Sequence, residues 1–530
     1  MVLKATVNLH VPSKDLLSWI FDNRQYDLDK PMFLDALNPK RFTTSRQALT
    51  LVRQTAAGLL AAGLEKGDCI YYSILFLGIV AAGGIFVGTN PSYTTAELRH
   101  HISTSGARFL IAEPRICANA IAAARECGIL KSHIWMFDAF DRSTFPSPSY
   151  RSWTTLLNHG EADWQWFDNE EPQKKTVAGL LFSSGTTGLP KAAMLSHRNL
   201  VAQHELEIAP VRKTYEVRRL VTLPMFHAAT VPMCHTTTMK AGYQTFVMRR
   251  FNVSDCLSAI HKQKITDICL VPPMVLAVLQ SPETTKEKLA SVRDCYLGAA
   301  PLNKETQNAL AKLLPDDAKY TQIWAMTETS CNGTQFNWPE QDDTGSVGRP
   351  IPNMDIKLLD EAGNDISDTS LPGELSVRCP TVFKGYFQNP TASAASFTPD
   401  GFFLSGDIAR RDLSTNKWYI LIKVRGFQVA PAELEGVLVE HPDISDAAVI
   451  GVWVPQLETE LPRAYVVRTK ESLGEREVKK WVEERLAGFK RLEGGISFVD
   501  AIPKNATGKI LKRILREKWD EETRKVAAKL

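Results

Sequence analysis

Paired cysteines are the first thing missing from this 530-residue chain. Its nine cysteines, Cys69, Cys117, Cys127, Cys234, Cys256, Cys269, Cys295, Cys331 and Cys379, form no Cys-x-x-Cys pair and no His/Cys cluster at zinc spacing. That excludes a disulfide scaffold and a structural zinc module. The odd count, with no signal-peptide pattern at the start, reads as reduced, mostly buried thiols. A charge excess is missing too, since 62 basic against 59 acidic residues leave a net +3. Nothing in that balance calls for nucleic acid or an anionic membrane as a partner. No internal repeat stands out, and 44% hydrophobic with 23% charged residues excludes disorder as the theme. The one long apolar stretch, Cys69 to Thr89, is broken by Ser73 and four glycines and followed by the turn Asn90-Pro91-Ser92. It reads as a buried strand, a helix and a second strand, so no transmembrane segment is expected.

What is present is an alternation of helix and strand signals, which predicts an α/β fold with parallel-rich sheets. Thr44-x-x-Gln47 is a capping box ahead of Leu49, Val52, Ala56, Leu59 and Leu60, and Gly63 ends the predicted helix. Glu374-Leu375-Ser376-Val377-Arg378 alternates like a half-buried strand. Beyond about Tyr419 the texture changes to short strands such as Ala447–Ile450 and Ala464–Val467, with a helix carrying Val478, Trp481, Val482 and Leu486. That is one small domain's worth of chain, which places a large domain at 1–420 and a small one at 421–530.

The most telling stretch is Ser183-Ser184-Gly185-Thr186-Thr187-Gly188-Leu189-Pro190-Lys191, directly after the apolar Val177–Phe182. Glycines let backbone N–H groups approach phosphate oxygens, hydroxyls add donors, and Lys191 adds charge at a strand end. Only two residues separate Gly185 from Gly188, which argues against a Walker A loop. A flexible surface turn has the same residue types.

Five further segments follow in order: Leu223-Pro224-Met225-Phe226-His227, Gly298-Ala299-Ala300-Pro301-Leu302, Gln322-Ile323-Trp324-Ala325-Met326-Thr327-Glu328, Gly401-Phe402-Phe403-Leu404-Ser405-Gly406-Asp407 and Pro503-Lys504-Asn505-Ala506-Thr507-Gly508-Lys509. With them the chain resembles an adenylate-forming acyl-CoA ligase, nearest the 4-coumarate-CoA ligase-like group, over practically its whole length. The resemblance implies a large adenylate-forming domain followed by a small, mobile α+β domain. It also implies an ATP-dependent reaction in which a carboxylic acid, aryl-propenoic, medium- or long-chain fatty or polyketide-like, passes through an acyl-adenylate to coenzyme A.

By that resemblance the loop Ser183 to Lys191 would wrap the β- and γ-phosphates, Thr327 would add a hydroxyl, and Glu328 would position Mg²⁺. Gly298, Ala299, Ala300, Gln322 and Trp324 would line the nucleotide slot, and Asp407 would accept from the ribose hydroxyls. Lys509 would orient the acid and the α-phosphate as the catalytic lysine, while a turn before a basic helix has the same letters. His227 would stand near the acyl pocket. Gly426-Phe427-Gln428 would open the small domain, with Lys423, Gly426 and Gln428 touching nucleotide or pantetheine. Luciferase-like oxygenases share this architecture, and a nucleotide-binding pseudoenzyme remains a further alternative.

Two departures stand out. An Asp-Arg-x-Lys-Glu segment usual for the family is absent between Tyr419-Ile420 and Leu421-Ile422-Lys423. Gly67-Asp68-Cys69 runs almost straight into Ile70-Tyr71-Tyr72, so a core strand of the large domain is expected to be lost, exposing its neighbours' edges. Ile323 and Ala325, where glycine is usual, are expected to narrow the space between the adenine and acyl slots. The final Ala528-Lys529-Leu530 is similar to the Ser-Lys-Leu address read by the peroxisomal import receptor, which makes the peroxisome the expected location.

Overall fold

The computed structural model describes residues 2–71, 75–137, 145–183, 189–298, 304–360, 362–420, 429, 431–454, 457, 459–503 and 512–527, and the statements below concern these residues. They fall into two compact units: Met1–Pro91, Leu98–Phe182 and Ala192–Ile422 make the first, and Ser92–Glu97, Ser183–Lys191 and Lys423–Leu530 the second.

The first unit is built around two seven-stranded sheets. One runs in the order Arg151–Ser152, Ile134–Met136, Ala107–Ala112, Cys69–Tyr71, Ile85–Gly88, Val177–Ser183, Lys191–Ser196. Its strands from Arg151 to Val177 in that order pair in parallel. Parallel strands covered on both faces are apolar throughout, and Ile85–Gly88 is buried at every position. The apolar stretch at Cys69 resolves as expected into a strand, the helix Phe76–Ala81 and the strand Ile85–Gly88. The predicted loss of a core strand is not seen. Cys69–Tyr71 is short, but it pairs with Ile85–Val87 on one side and Ala107–Leu110 on the other. Three residues of backbone hydrogen bonding are enough to close the sheet, so the shortened segment leaves no exposed edge there.

The second sheet orders Lys319–Gln322, Asp294–Leu297, Asp267–Leu270, Arg218–Val221, Gln244–Val247, Pro31–Asp35 and Phe42–Thr44, parallel except for its last pair. The helix Ser45–Ala61 follows with the reciprocal Thr44–Gln47 capping box in place. Two smaller antiparallel sheets complete the unit. One holds Trp324–Met326, Cys331–Gln335 and Arg349–Pro350, and the other Asp355–Leu359, Gly373–Arg378, Phe403–Arg411 and Trp418–Ile420.

The second unit has the antiparallel pair Ile444–Val454 and Thr459–Arg468, with Ile496–Phe498 added in parallel. The helices Pro431–Val439 and Glu475–Glu483 cover it, the latter burying Val478 and Val482 and donating Trp481 Nε1 to the Val437 carbonyl at 2.8 Å. This α+β character matches the texture change seen beyond Tyr419. Among the described residues no helix is long and apolar enough to cross a membrane. The eight cysteines whose side chains are described, all but Cys69, are free, six of them buried.

Candidate active site

The segment Gln322 to Glu328 turns sharply out of the large parallel sheet. Gln322 ends one strand, Trp324–Met326 starts another in a different sheet, and Thr327–Thr329 is a single 3-10 turn. Ser330 and Cys331 then take positive φ values of 60° and 129°, which non-glycine residues rarely adopt. Each such residue costs of order 1–3 kcal/mol and persists only where its surroundings fix it. Here they do. Ser330 Oγ donates to the Thr381 carbonyl at 2.6 Å, Thr329 Oγ1 to the Cys331 carbonyl at 2.8 Å, and the Gln203 amide to the Ser330 carbonyl. The effect is to fix Thr327 and Glu328, both buried, at the strand end.

Glu328 Oε1 accepts from the Tyr386 hydroxyl at 2.8 Å, while Oε2 is buried without a hydrogen-bond partner. Burial, and then the Glu328 charge, raise the Tyr386 pKa well above the ordinary phenol value, so this hydroxyl stays a donor. Tyr386 also ties the turn to the strand Lys191–Ser196. It bridges Ala193, and the next residue, Phe387, donates its N–H to the Ala192 carbonyl at 2.8 Å. Lys191, at the start of that strand, and Ser183, at the buried end of Val177–Ser183, are thus placed on neighbouring strands of one sheet.

The second cluster joins Trp324 to Asp407. The indole is 2% exposed and lies over Gly333, where a Cβ would collide with the ring. Its Nε1 donates to Asp407 Oδ2 at 2.7 Å. The preceding Gly406, at φ 73°, presents its N–H to Glu374 Oε1 at 3.0 Å and lets the strand Phe403–Arg411 aim Asp407 inward. Gln322 Nε2 donates to Gln307 Oε1 at 3.0 Å, and Gln307 in turn holds the Asp342 carbonyl at 2.6 Å. A Cβ on Gly298 would meet Ile323 Cγ1 at 3.1 Å, so the bulk at position 323 does fill space beside the Gly298 strand end.

His227 follows a short turn after Arg218–Val221 and accepts from the Ala229 N–H through Nδ1 at 3.2 Å. Its ring is solvent-exposed, yet enough protein crowds around it to lower its pKa, leaving a neutral imidazole that carries its proton on Nε2. Ser184, Gly185, Thr186, Thr187, Gly188, Ala299, Ala300, Lys423, Gly426, Gln428 and Lys509 lie outside the described residues, as do Ala528, Lys529 and Leu530. Tyr386 is the residue that sequence reasoning missed, because a lone tyrosine 58 positions from its carboxylate partner has no local signal.

A cation fits this arrangement. A buried carboxylate oxygen without a partner is a liability unless something positive meets it, and Mg²⁺ typically takes one or two protein carboxylates and completes its shell with phosphate oxygens and water. Among the described residues no group of three or more metal-ligating side chains exists, so the phosphates would have to supply the rest.

The chain matches the AMP-binding enzyme family over residues 22–387 and the AMP-binding enzyme C-terminal domain over 433–509. It is 48% identical to the phenylacetyl-CoA ligase epaB of Aspergillus niger, covering 98% of this chain and 100% of that protein. It is 32% identical to the 4-coumarate–CoA ligase of Pinus taeda, covering 96% and 95%. In structure it is similar to the o-succinylbenzoate CoA synthetase of Bacillus subtilis, with a TM-score of 0.75 at 23% identity over 96% of this chain and 98% of that one.

Proposed function

The chain belongs to the AMP-binding enzyme family and is an ATP-dependent acid–CoA ligase, and from that premise we propose how its residues divide the work. A carboxylate is a poor acyl donor. Its oxygen therefore attacks the α-phosphate of ATP, expelling pyrophosphate and giving an acyl-adenylate, whose acyl carbon is then taken by the thiol of coenzyme A with loss of AMP. Negative charge builds in both steps and must be met by donors and cations already in position.

Glu328 Oε2 would be the protein's ligand for Mg²⁺, with Tyr386 holding the carboxylate through its other oxygen. The ion, when bound, neutralises phosphate charge and orients the leaving pyrophosphate. Thr327 and Lys191, with the loop residues 184–188, hold the terminal phosphates. Asp407, fixed by Trp324, accepts from ribose hydroxyls, work suited to an ionised carboxylate. Gln322 and Gly298 border the adenine. Neutral His227 guards the acid's entry, and Lys509 orients the carboxylate against the α-phosphate.

The observation that carries this proposal is the strained turn that buries Glu328 with one oxygen bonded and the other left open. For the acid, the name of the Aspergillus relative makes phenylacetate the first to try, followed by aryl-propenoic and medium-chain acids. Purified protein is incubated with Mg²⁺, ATP, coenzyme A and each acid in turn, and thioesters are read by mass spectrometry. Acid-dependent thioester and pyrophosphate are expected; measurable ATP binding with no turnover of any acid would instead favour a nucleotide-binding protein without catalysis.

A further inference from the structure

Inside the first unit, a cavity of about 20 Å³ lies against the same turn. Its wall includes Cys331 and Asn332, which directly follow the Thr327–Thr329 turn and its Ser330 cap, and Met233, six residues beyond His227. Two π-helical turns converge on it, His204–Ile208 bringing Glu207 and Val231–Thr236 bringing Met233. Such turns are rare and are frequently found at functional sites. The space accommodates one water or one heavy atom of a ligand.

The polar groups of the wall differ in one respect. Asp267 is paired with Lys213 and accepts from Thr266 Oγ1 at 2.7 Å. Arg219 donates to the Met233 carbonyl at 3.3 Å, and Asn332 is bonded on both sides, by the Cys331 thiol at 3.2 Å and to Gln335 at 3.3 Å. Glu207 is 1% exposed, and neither of its carboxyl oxygens has a hydrogen-bond partner of acceptable geometry. Burial raises its pKa well above the usual carboxylate range, only partly opposed by the Asn332 backbone amide. A neutral carboxyl has both an O–H donor and a carbonyl acceptor to offer. A buried carboxyl without well-placed partners carries a desolvation cost with no return in the free protein.

We propose that Glu207 is a specificity residue: it faces the tail of the bound acid and selects acids that carry a hydroxyl there. This rests on the ligase activity set out above, with the acid's carboxylate at the Thr327–Glu328 end and its tail running along the wall formed by Cys331, Asn332 and Met233. A hydroxyl entering the cavity accepts from and donates to the Glu207 carboxyl. A hydrogen atom in its place leaves the carboxyl unpaired, and sites built to bond a hydroxyl reject analogues that lack it far more strongly than apolar pockets reject a missing methylene.

The test uses paired probes, para-hydroxyphenylacetate against phenylacetate, para-hydroxycinnamate against cinnamate and ω-hydroxydecanoate against decanoate, competed in one reaction and read as CoA thioesters. In each pair the enzyme accepts, wild type is expected to favour the hydroxylated acid at least about 10-fold. Glu207→Leu is expected to bring the ratio to within about 2-fold. Glu207→Gln, of the same shape, keeps part of the preference and controls for folding. The melting temperature gives a second readout: Glu207→Leu should hold or raise it, because the unpartnered carboxyl is gone, whereas a merely structural glutamate would make it fall. A hydroxyl preference that survives Glu207→Leu, or a wild-type preference for the plain acid, overturns the proposal while leaving the ligase activity standing. If no acid supports pyrophosphate release, it is the ligase activity that fails, and the specificity role fails with it.

Discussion

The Tyr386 hydroxyl donates to one oxygen of Glu328 at 2.8 Å and leaves the other buried and unpartnered. One bond thereby fixes the carboxylate and leaves a single unpartnered oxygen, the one that would meet a cation shared with phosphates under the proposed function. Tyr386→Phe should raise the KM for Mg·ATP by about 5-fold, the equivalent of about 1 kcal/mol for one hydrogen bond, and should shift the Mg²⁺ dependence to higher concentration. Initial-rate kinetics at varied Mg²⁺ check this. An unchanged Mg²⁺ profile would leave Tyr386 as packing.

Trp324 and Asp407 make a second pair, joined at 2.7 Å within the protein interior and proposed to face the ribose. Wild type should discriminate against 2′-deoxy-ATP, and Asp407→Ala should erase that discrimination while weakening ATP itself. Trp324→Phe removes the donor but keeps an aromatic ring, so it should produce a smaller loss in the same direction, about 1–2 kcal/mol in kcat/KM. Comparing kcat/KM for the two nucleotides in each variant decides it; equal discrimination in Asp407→Ala and wild type would contradict the ribose role.

Lys509→Ala should cripple acyl-adenylate formation yet leave coenzyme A attack on a supplied adenylate largely intact. The two half-reactions are measured separately, one by acid-dependent pyrophosphate exchange and the other from synthetic acyl-adenylate. Equal loss in both would remove Lys509 from the adenylation step.

Three buried histidines make folding pH-dependent. Burial lowers His197 and His204 from 6.5 to about 3 and His235 to about 4. His197 is held neutral as it accepts the Leu16 N–H at Nδ1, 2.9 Å away. A depressed histidine pKa means that the unfolded chain takes up protons before the folded one does. Stability is therefore full above pH 6.5 and lost progressively as the pH falls through the window down to about 4 for His235 and about 3 for His197 and His204, with uptake of up to about three protons on unfolding. Thermal melts at pH 7.5, 6 and 5 should show a steadily falling midpoint; a flat profile would contradict it.

Local chemistry made much of the scaffold legible. The Thr44–Gln47 box announced its helix because both partners sit within one turn, and the run from Cys69 to Thr89 announced strand, helix and strand through its apolar content and glycine breaks. The shortened segment at Cys69 was misjudged. Backbone pairing tolerates a three-residue strand between two longer neighbours, and that outcome depends on partners 16 or more residues away. Trp324, Glu328 and Asp407 were visible in ordered motifs, but Tyr386 was not, and nothing local announced the partners of the two carboxylates. Tyr386 and Trp324 reach them across 58 and 83 positions, and Glu207 became conspicuous only once the fold had stripped it of partners.

The central claim is that the acid's own oxygen becomes bonded to the α-phosphorus of ATP. An accepted acid labelled with oxygen-18 in its carboxylate, turned over with ATP and coenzyme A and analysed by mass spectrometry, tests it directly. AMP carrying one label per turnover is expected, with unlabelled pyrophosphate. Unlabelled AMP, or ADP as the nucleotide product, would contradict it.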